Sequence, residues 1–354
     1  MTWFVIGYYT VLLAASCLAA YFNKRQIFLP LFSLTLVSFV LGIVGGTGAL
    51  QFVAIGAGLL ALAAMISYGF REFLIVLTSD EMAKELRTAP LTAAFGMFVI
   101  FTYAVMGIFA PLIAPHGEAE VIASAFAPAD ENMLLGADQL GRDMFSRIVY
   151  GTRNSVGLAL TATLLAFILG ALAGLLAATK GGWFDQLMGR VADVIMSIPS
   201  LIFALLMLSI FGPHIHVIII AVAVIYAPRV FRLTRAVAGN IVVMDYIEAA
   251  KLRGEGTWYL IRREILPNST APLIAEFGLE FCFVFLLVAG LSFLGLGIQP
   301  PTADWGSMVR ENATLISFGD ITPLIPAAAI ALLTVAVNFV VDWMLWRSAG
   351  LKET

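Results

Sequence analysis

The chain of 354 residues is 61% apolar and only 12% charged, with 20 Lys and Arg against 23 Asp and Glu and a net charge of −3. A soluble domain runs at about 45–50% apolar and about 25% charged, so a mean hydropathy of +0.97 excludes a soluble fold. The acidic balance, with a pI of 5.7, also excludes the basic face that nucleic-acid binding requires.

A hydrocarbon core about 30 Å thick takes about 20 apolar residues per helix. The charge-free runs predict nine helices, near 2–22, 26–45, 49–70, 91–113, 154–178, 193–211, 216–234, 272–293 and 323–346. The run over 26–70 is too long for one span and divides at Gly45-Gly46-Thr47-Gly48, where clustered glycines favour a turn. Alternation of period two, the mark of a membrane barrel, is missing, so the fold class is an all-α polytopic membrane protein. Residues 1–22 lack the basic leader of a signal peptide, since the first lysine is Lys24. The stretch Leu13-Ala14-Ala15-Ser16-Cys17 is a misaligned lipoprotein box, and an uncleaved span is expected there. Cys17 and Cys282 lie in apolar runs far apart and define no disulfide framework.

With Asn23-Lys24-Arg25 inside, 16 of the 20 basic residues fall on inside segments, and only Arg142, Arg147, Arg153 and Arg310 fall outside. This bias predicts an outside N-terminus and a cytoplasmic C-terminus. Residues 71–88 mix both charges with Phe73, Leu74, Leu77 and Met82 and read as a cytoplasmic amphipathic connector. The connector separates a three-helix N-terminal extension, 1–70, from a six-helix remainder, 89–354. Long segments fall outside at 114–153 and 294–322 and inside at 235–271, and long loops in compact proteins tend to carry function.

The inside loop reads Asp245-Tyr246-Ile247-Glu248-Ala249-Ala250-Lys251-Leu252-Arg253-Gly254 and continues to Glu264-Ile265-Leu266-Pro267-Asn268. Ala249, Ala250 and Gly254 suit a short helix that turns sharply. Tyr246, Ala249, Ala250, Trp258 and Ile261 recur at roughly helical spacing, which predicts one apolar face. Such a face suits either a groove on a soluble partner or the headgroup region of the bilayer. The residues alone leave both open.

Glu-Ala-Ala, then Gly, then Ile-Leu-Pro in this order resembles the signature loop of ABC importer permeases. Residues 134–147 (LLGADQLGRDMFSR) resemble the external segment after the first core helix of the C-type permeases of oligopeptide and dipeptide importers. Residues 291–307 (LSFLGLGIQPPTADWGS) resemble the outside loop after their fifth core helix. The order and spacing of all three agree over 89–354, while the first 88 residues have no counterpart in the usual six-helix subunit. The sequence departs from the family at Glu255-Gly256, commonly Ala-Ser, and at Glu264, often histidine.

The resemblance implies a six-helix type I permease core in the cell (inner) membrane, coupled to cytoplasmic ATPases through the loop. Tyr246, Glu248, Ala249, Ala250, Gly254 and Pro267 would then form the ATPase-coupling site. Leu135, Gly136, Asp138, Gly141, Arg142 and Asp143 would shape an external cap or a surface receiving a binding protein. The implied partners are a B-type permease subunit, two ABC ATPases that carry ATP and Mg, and an external peptide-binding protein, with peptides as cargo. The chain itself has no GxxxxGK[ST] and is expected to bind no cofactor and not to be an enzyme; Lys180 followed by Gly181-Gly182 does not form such a loop.

Polar groups within spans are costly and suggest a pathway. The candidates are Asp193, Pro199, Glu276, Glu280, Asn338 and Asp342. Glu276 and Glu280 share a helix face at i, i+4 and are expected either to pair with Arg262 or Arg263 or to line the inner pathway. Pro199 is expected to kink the sixth helix. Gly170 and Gly174 predict close helix packing, and His214-Ile215-His216 reads as a solvated turn with no metal site expected. The alternative from the residues is a proton-coupled secondary transporter that uses Glu276, Glu280 or Asp342.

Overall fold

The computed structural model describes residues 49–320 and 322–348, together with Val11, Leu12, Ala14, Ala15 and Pro30. The helices expected over 2–22 and 26–45, and the lipoprotein-like stretch, lie largely outside the described residues. By contacts the chain divides into two units, Met1–Ile100 and Phe101–Thr354.

In the first unit, α1 (Ala49–Leu77) runs on past its expected end at 70. The charge that marks that end, Arg71, is buried with partners to hand: its guanidinium donates to the Ala89 carbonyl at 3.1 Å, lies 3.8 Å from Glu72 and stacks over the Tyr68 ring. The connector therefore starts inside α1, and its amphipathic part is α2 (Asp80–Thr88), which buries Ala83 and Leu86 and exposes Met82 and Arg87. Helix α3 (Leu91–Ile108) follows, and the division between the two units falls within it.

In the second unit the helix expected to reach 113 stops at Ile108. Phe109 leaves the helical region (φ −100, ψ 21) and a separate turn, α4 (Ala110–Ile113), begins. Pro111 has no N–H with which to continue the ladder. The chain then runs without a helix or strand to Asp143, which caps α5 (Met144–Lys180) by accepting from the amides of Phe145 and Ser146. Helix α5 begins well before 154, because the charge that seems to forbid it, Arg147, is paired with Asp138 and Glu311. Its register shifts through a π turn at Thr152–Val156.

Pro199 breaks the sixth predicted span outright. Helix α6 (Gly182–Met196) and α7 (Ser200–Phe211) meet at 84°. Beyond them lie α8 (Ile215–Val242), α9 (Asp245–Leu252), α10 (Thr257–Phe293), α11 (Trp305–Asn312) and α12 (Leu324–Ser348). Helices α8 and α10 overrun the apolar runs that predicted them at 216–234 and 272–293. Hydropathy marks the length that hydrocarbon can hold, and a helix is free to continue into the interface. Among the described residues six helices are long and apolar enough to cross a membrane, or seven if α6 and α7 form one broken span.

Small residues set the closest packing. A Cβ on Gly170 would lie 2.5 Å from the Ala227 carbonyl oxygen, and one on Gly174 would lie 2.8 Å from that of Phe231. Helices α5 and α8 thus meet backbone to backbone, as the Gly-xxx-Gly spacing predicts.

Candidate functional site

The 235–271 loop is built on α9. Asp245 and Glu248 lie in its first turn, where carboxylates complement the positive helix end. Its other end closes on Gly254 at φ +82. The Gly254 amide donates to Lys251 O at 2.9 Å and the Glu255 amide to Ala250 O at 3.2 Å, the paired bonds of a Schellman stop. Ile247 and Ala250 point inward, into a buried cluster with Leu175, Ala238, Leu260, Ile261 and Ile265. Tyr246, Glu248, Ala249 and Lys251 point outward, and Leu252 is 84% exposed and Trp258 61% exposed.

The single apolar face expected from Tyr246, Ala249, Ala250, Trp258 and Ile261 is therefore split. Ala250 and Ile261 belong to the core, whereas the other three are displayed. The turn at Gly254 ends one helix before the next begins, so helical spacing does not carry across it. Pro267 is exposed in α10, and the neighbouring Asn268 amide reaches the Tyr246 hydroxyl at 3.4 Å.

The 114–153 segment condenses around ionised groups. Asp138 accepts from the amides of Leu140 and Arg142 and, at 2.7 Å, from Arg142 Nε. Arg147 Nε lies 3.2 Å from the same carboxylate as an ion pair without hydrogen-bond alignment. Both guanidiniums converge on Glu311 Oε2, Arg142 at 3.0 Å and Arg147 at 3.3 Å. Gly136 and Gly141 take positive φ beneath this cluster, where added Cβ atoms would strike the carbonyls of Ala127 and Ala123. Leu135 is half-buried, and Asp143 is buried as the cap of α5.

A second layer joins this segment to the loop before α11. Glu118 Oε2 accepts from Asn154 and from the Ala303 amide. Asp304 accepts from the Ser155 hydroxyl at 2.7 Å and from the Ser307 amide. The fully buried Trp305 donates through Nε1 to Ile148 O. The structure thus brings together two stretches, 134–147 and 291–307, that the sequence set apart. Sequence reasoning missed Glu118, Arg147, Ser155, Asp304 and Glu311 as members. The available signal was the three arginines Arg142, Arg147 and Arg153 in a segment otherwise rich in acids, with Arg310 in the loop it meets.

The polar groups expected to line one pathway are dispersed. Asp193 on α6 pairs with Arg232 on α8, and Asp185 pairs with Arg235 one turn further along. Pro199 caps α7 rather than kinking a continuous helix. Glu280 is buried on α10 with Oε2 lacking a hydrogen-bond partner. The cation whose field reaches Glu276 and Glu280 is Arg229 of α8, not Arg262 or Arg263, which are exposed. Asn338 donates to its own helix at Thr334 O, and Asp342 is exposed. His214 and His216 stack at 5.5 Å.

Comparison with known proteins gives this arrangement its context. Residues 166–346 match the model of a family described as the binding-protein-dependent transport system inner membrane component. A dipeptide transport system permease protein of Alkalihalophilus pseudofirmus is 35% identical over 264 residues, which cover 74% of this chain and 86% of the relative. A probable D,D-dipeptide transport system permease protein of Escherichia coli K12 is 33% identical over 273 residues, or 76% of this chain and 91% of the relative. Among solved structures, the crystal structure of an amino acid ABC transporter with histidines aligns with a TM-score of 0.41 at 22% identity, over 57% of this chain and 94% of that one. The proton-coupled alternative finds no support among these relatives, which are named as permeases of transport systems. The chain belongs to the family of binding-protein-dependent transport system inner membrane components, the multi-pass permease subunits of ABC importers.

Proposed function

We propose that this chain forms half of the translocation pathway of an ATP-driven importer for di- and oligopeptides, with its N-terminus outside and its C-terminus cytoplasmic. A B-type permease supplies the other half, two cytoplasmic ABC ATPases bind ATP and Mg, and an external binding protein delivers cargo. ATP hydrolysis belongs to those partners, since this chain has no phosphate-cradling motif. The names of the relatives support peptides as cargo.

The observation that carries the reading is the two-sided construction of α9. One side is locked into the core through Ile247 and Ala250, and the other displays Tyr246, Glu248, Ala249 and Leu252. A short helix held this way transmits a push on its outer side into α5, α8 and α10 without absorbing it. ATP binding that closes the ATPases would move α9 as a lever and open the pathway outward, which requires contacts that differ between the two states. The external segment, with Asp138, Arg142 and Asp143 at its centre, serves as the cap that faces the binding protein.

The test is ATP-dependent peptide uptake by the reconstituted complex. Glu248→Lys and Gly254→Asp are expected to lower uptake at least tenfold while the two permease subunits still co-purify. Uptake that persists at the wild-type rate in either variant, or without any ATPase, overturns the proposal.

A further inference from the structure

A cleft of about 640 Å³ lies between α6 and α8. Asp185 and Asp193 reach it from α6, and Arg232 and Arg235 from α8, each carboxylate joined to one guanidinium. Its walls carry Gly189 and Gly239, and a Cβ on either would meet nothing within 4 Å. The hollow is therefore open space rather than a packing fault about to close. Ala177, Ala192 and Phe231, packed together beneath it, hold the two helices in place.

The size falls in the range of small-molecule sites, and the charges select the chemistry. A nucleotide or free phosphate would face two carboxylates, and a divalent cation would face two guanidiniums. A molecule with an ammonium at one end and a carboxylate at the other finds a partner for each. Of the existing pairs, that of Arg232 and Asp193 yields the more readily, at 54% and 61% exposed, since exposed ion pairs contribute little, whereas Arg235 holds both oxygens of the less exposed Asp185. Arginine also matches a carboxylate with two parallel hydrogen bonds.

We propose that the α6–α8 cleft binds a short zwitterionic peptide, with Arg232 and Arg235 on its carboxylate and Asp185 and Asp193 on its ammonium group. The inference rests on the importer reading above, whose topology puts the cleft at the cytoplasmic mouth, where a delivered peptide leaves.

The experiment uses the assembled permease–ATPase complex in nanodiscs, without binding protein, titrated calorimetrically with Ala-Ala. Binding is expected, and N-acetyl-Ala-Ala-amide is expected to bind at least tenfold more weakly. Gly239→Leu, which fills the hollow from an open wall, is expected to weaken Ala-Ala at least tenfold. So is the double variant Arg232→Gln/Asp193→Asn, which keeps a neutral hydrogen-bonded pair. Equal affinity for the capped peptide, unchanged affinity in both variants, or no binding of Ala-Ala overturns the site. So does a Gly189→Cys complex that a hydrophilic maleimide fails to label, because a partner subunit then fills the cleft. Uptake is read separately. ATP-driven uptake without cleft-dependent binding sinks the site alone, whereas cleft-dependent binding without uptake of any peptide sinks the importer reading and leaves the site standing.

Discussion

The indole of Trp305 lies so close to Gly151 that a Cβ placed there would come within 2.6 Å of Cδ1 and 2.8 Å of Nε1. The same Nε1 donates to Ile148 O at 3.0 Å, so the ring has no room to retreat without losing its bond. Gly151→Ala is expected to lower stability by about 1–3 kcal/mol, the usual cost of overpacking. Thermal unfolding of the purified complex measures it. Adding Trp305→Phe, which removes the colliding five-membered ring, should recover part of the loss in a double-mutant cycle.

Asp138 anchors two arginines and two backbone amides, whereas Arg147 shares its carboxylates with Arg142. Asp138→Ala leaves both buried guanidiniums short of charge and is expected to cost about 3–5 kcal/mol. Proteolysis of the 114–143 segment should speed up accordingly. Glu131→Gln, in the exposed part of the same segment, should change stability by less than about 0.5 kcal/mol. Equal protease sensitivity in the two variants would contradict the assigned hub.

Gly170 and Gly157 test the packing of α5 against α8. Both are helical, yet only Gly170 meets a backbone oxygen, while a Cβ on Gly157 would meet nothing within 4 Å. Gly170→Val should abolish stable expression, since a carbonyl on the facing helix has no rotamer to give way. Gly157→Ala should be neutral or stabilising by about 0.4–1 kcal/mol through the unfolded chain. Membrane expression followed by thermal melting separates the two.

The turn before α12 carries a modest pH signature. Asp320 accepts from the Thr322 hydroxyl at 2.7 Å and from its amide at 2.8 Å, and these bonds hold its carboxyl below the usual value. A depressed carboxylate contributes stability above its unfolded value of about 3.9, and loses it as pH falls through the folded value. The gap in melting temperature between wild type and Asp320→Asn should be constant near neutrality and vanish under acid. It should also be small, because the group is exposed.

Apolar runs revealed the spans because hydrocarbon imposes a length that any sequence must meet. They misplaced helix ends wherever a charge was neutralised by the fold. Arg71 reads as a boundary but donates to a carbonyl 18 residues away, and Arg147 reads as loop but pairs across 164 residues with Glu311. No local pattern contains such partners. The motif around Glu248 and Gly254 was legible because it is contiguous, yet the inward turn of Ala250 was not. That orientation depends on where Leu175 and Ala238 stand on other helices.

The widened turns at Thr152–Val156 and Leu260–Ile265 make α5 and α10 unusually tolerant of losing one residue. A π turn holds one surplus residue, so excising a single amino acid there would restore ordinary α geometry and leave the distant faces aligned. The same excision in the middle of either rod would swing everything beyond it by about 100°. Single-residue deletions should therefore survive at these two places and not in the middle of either helix.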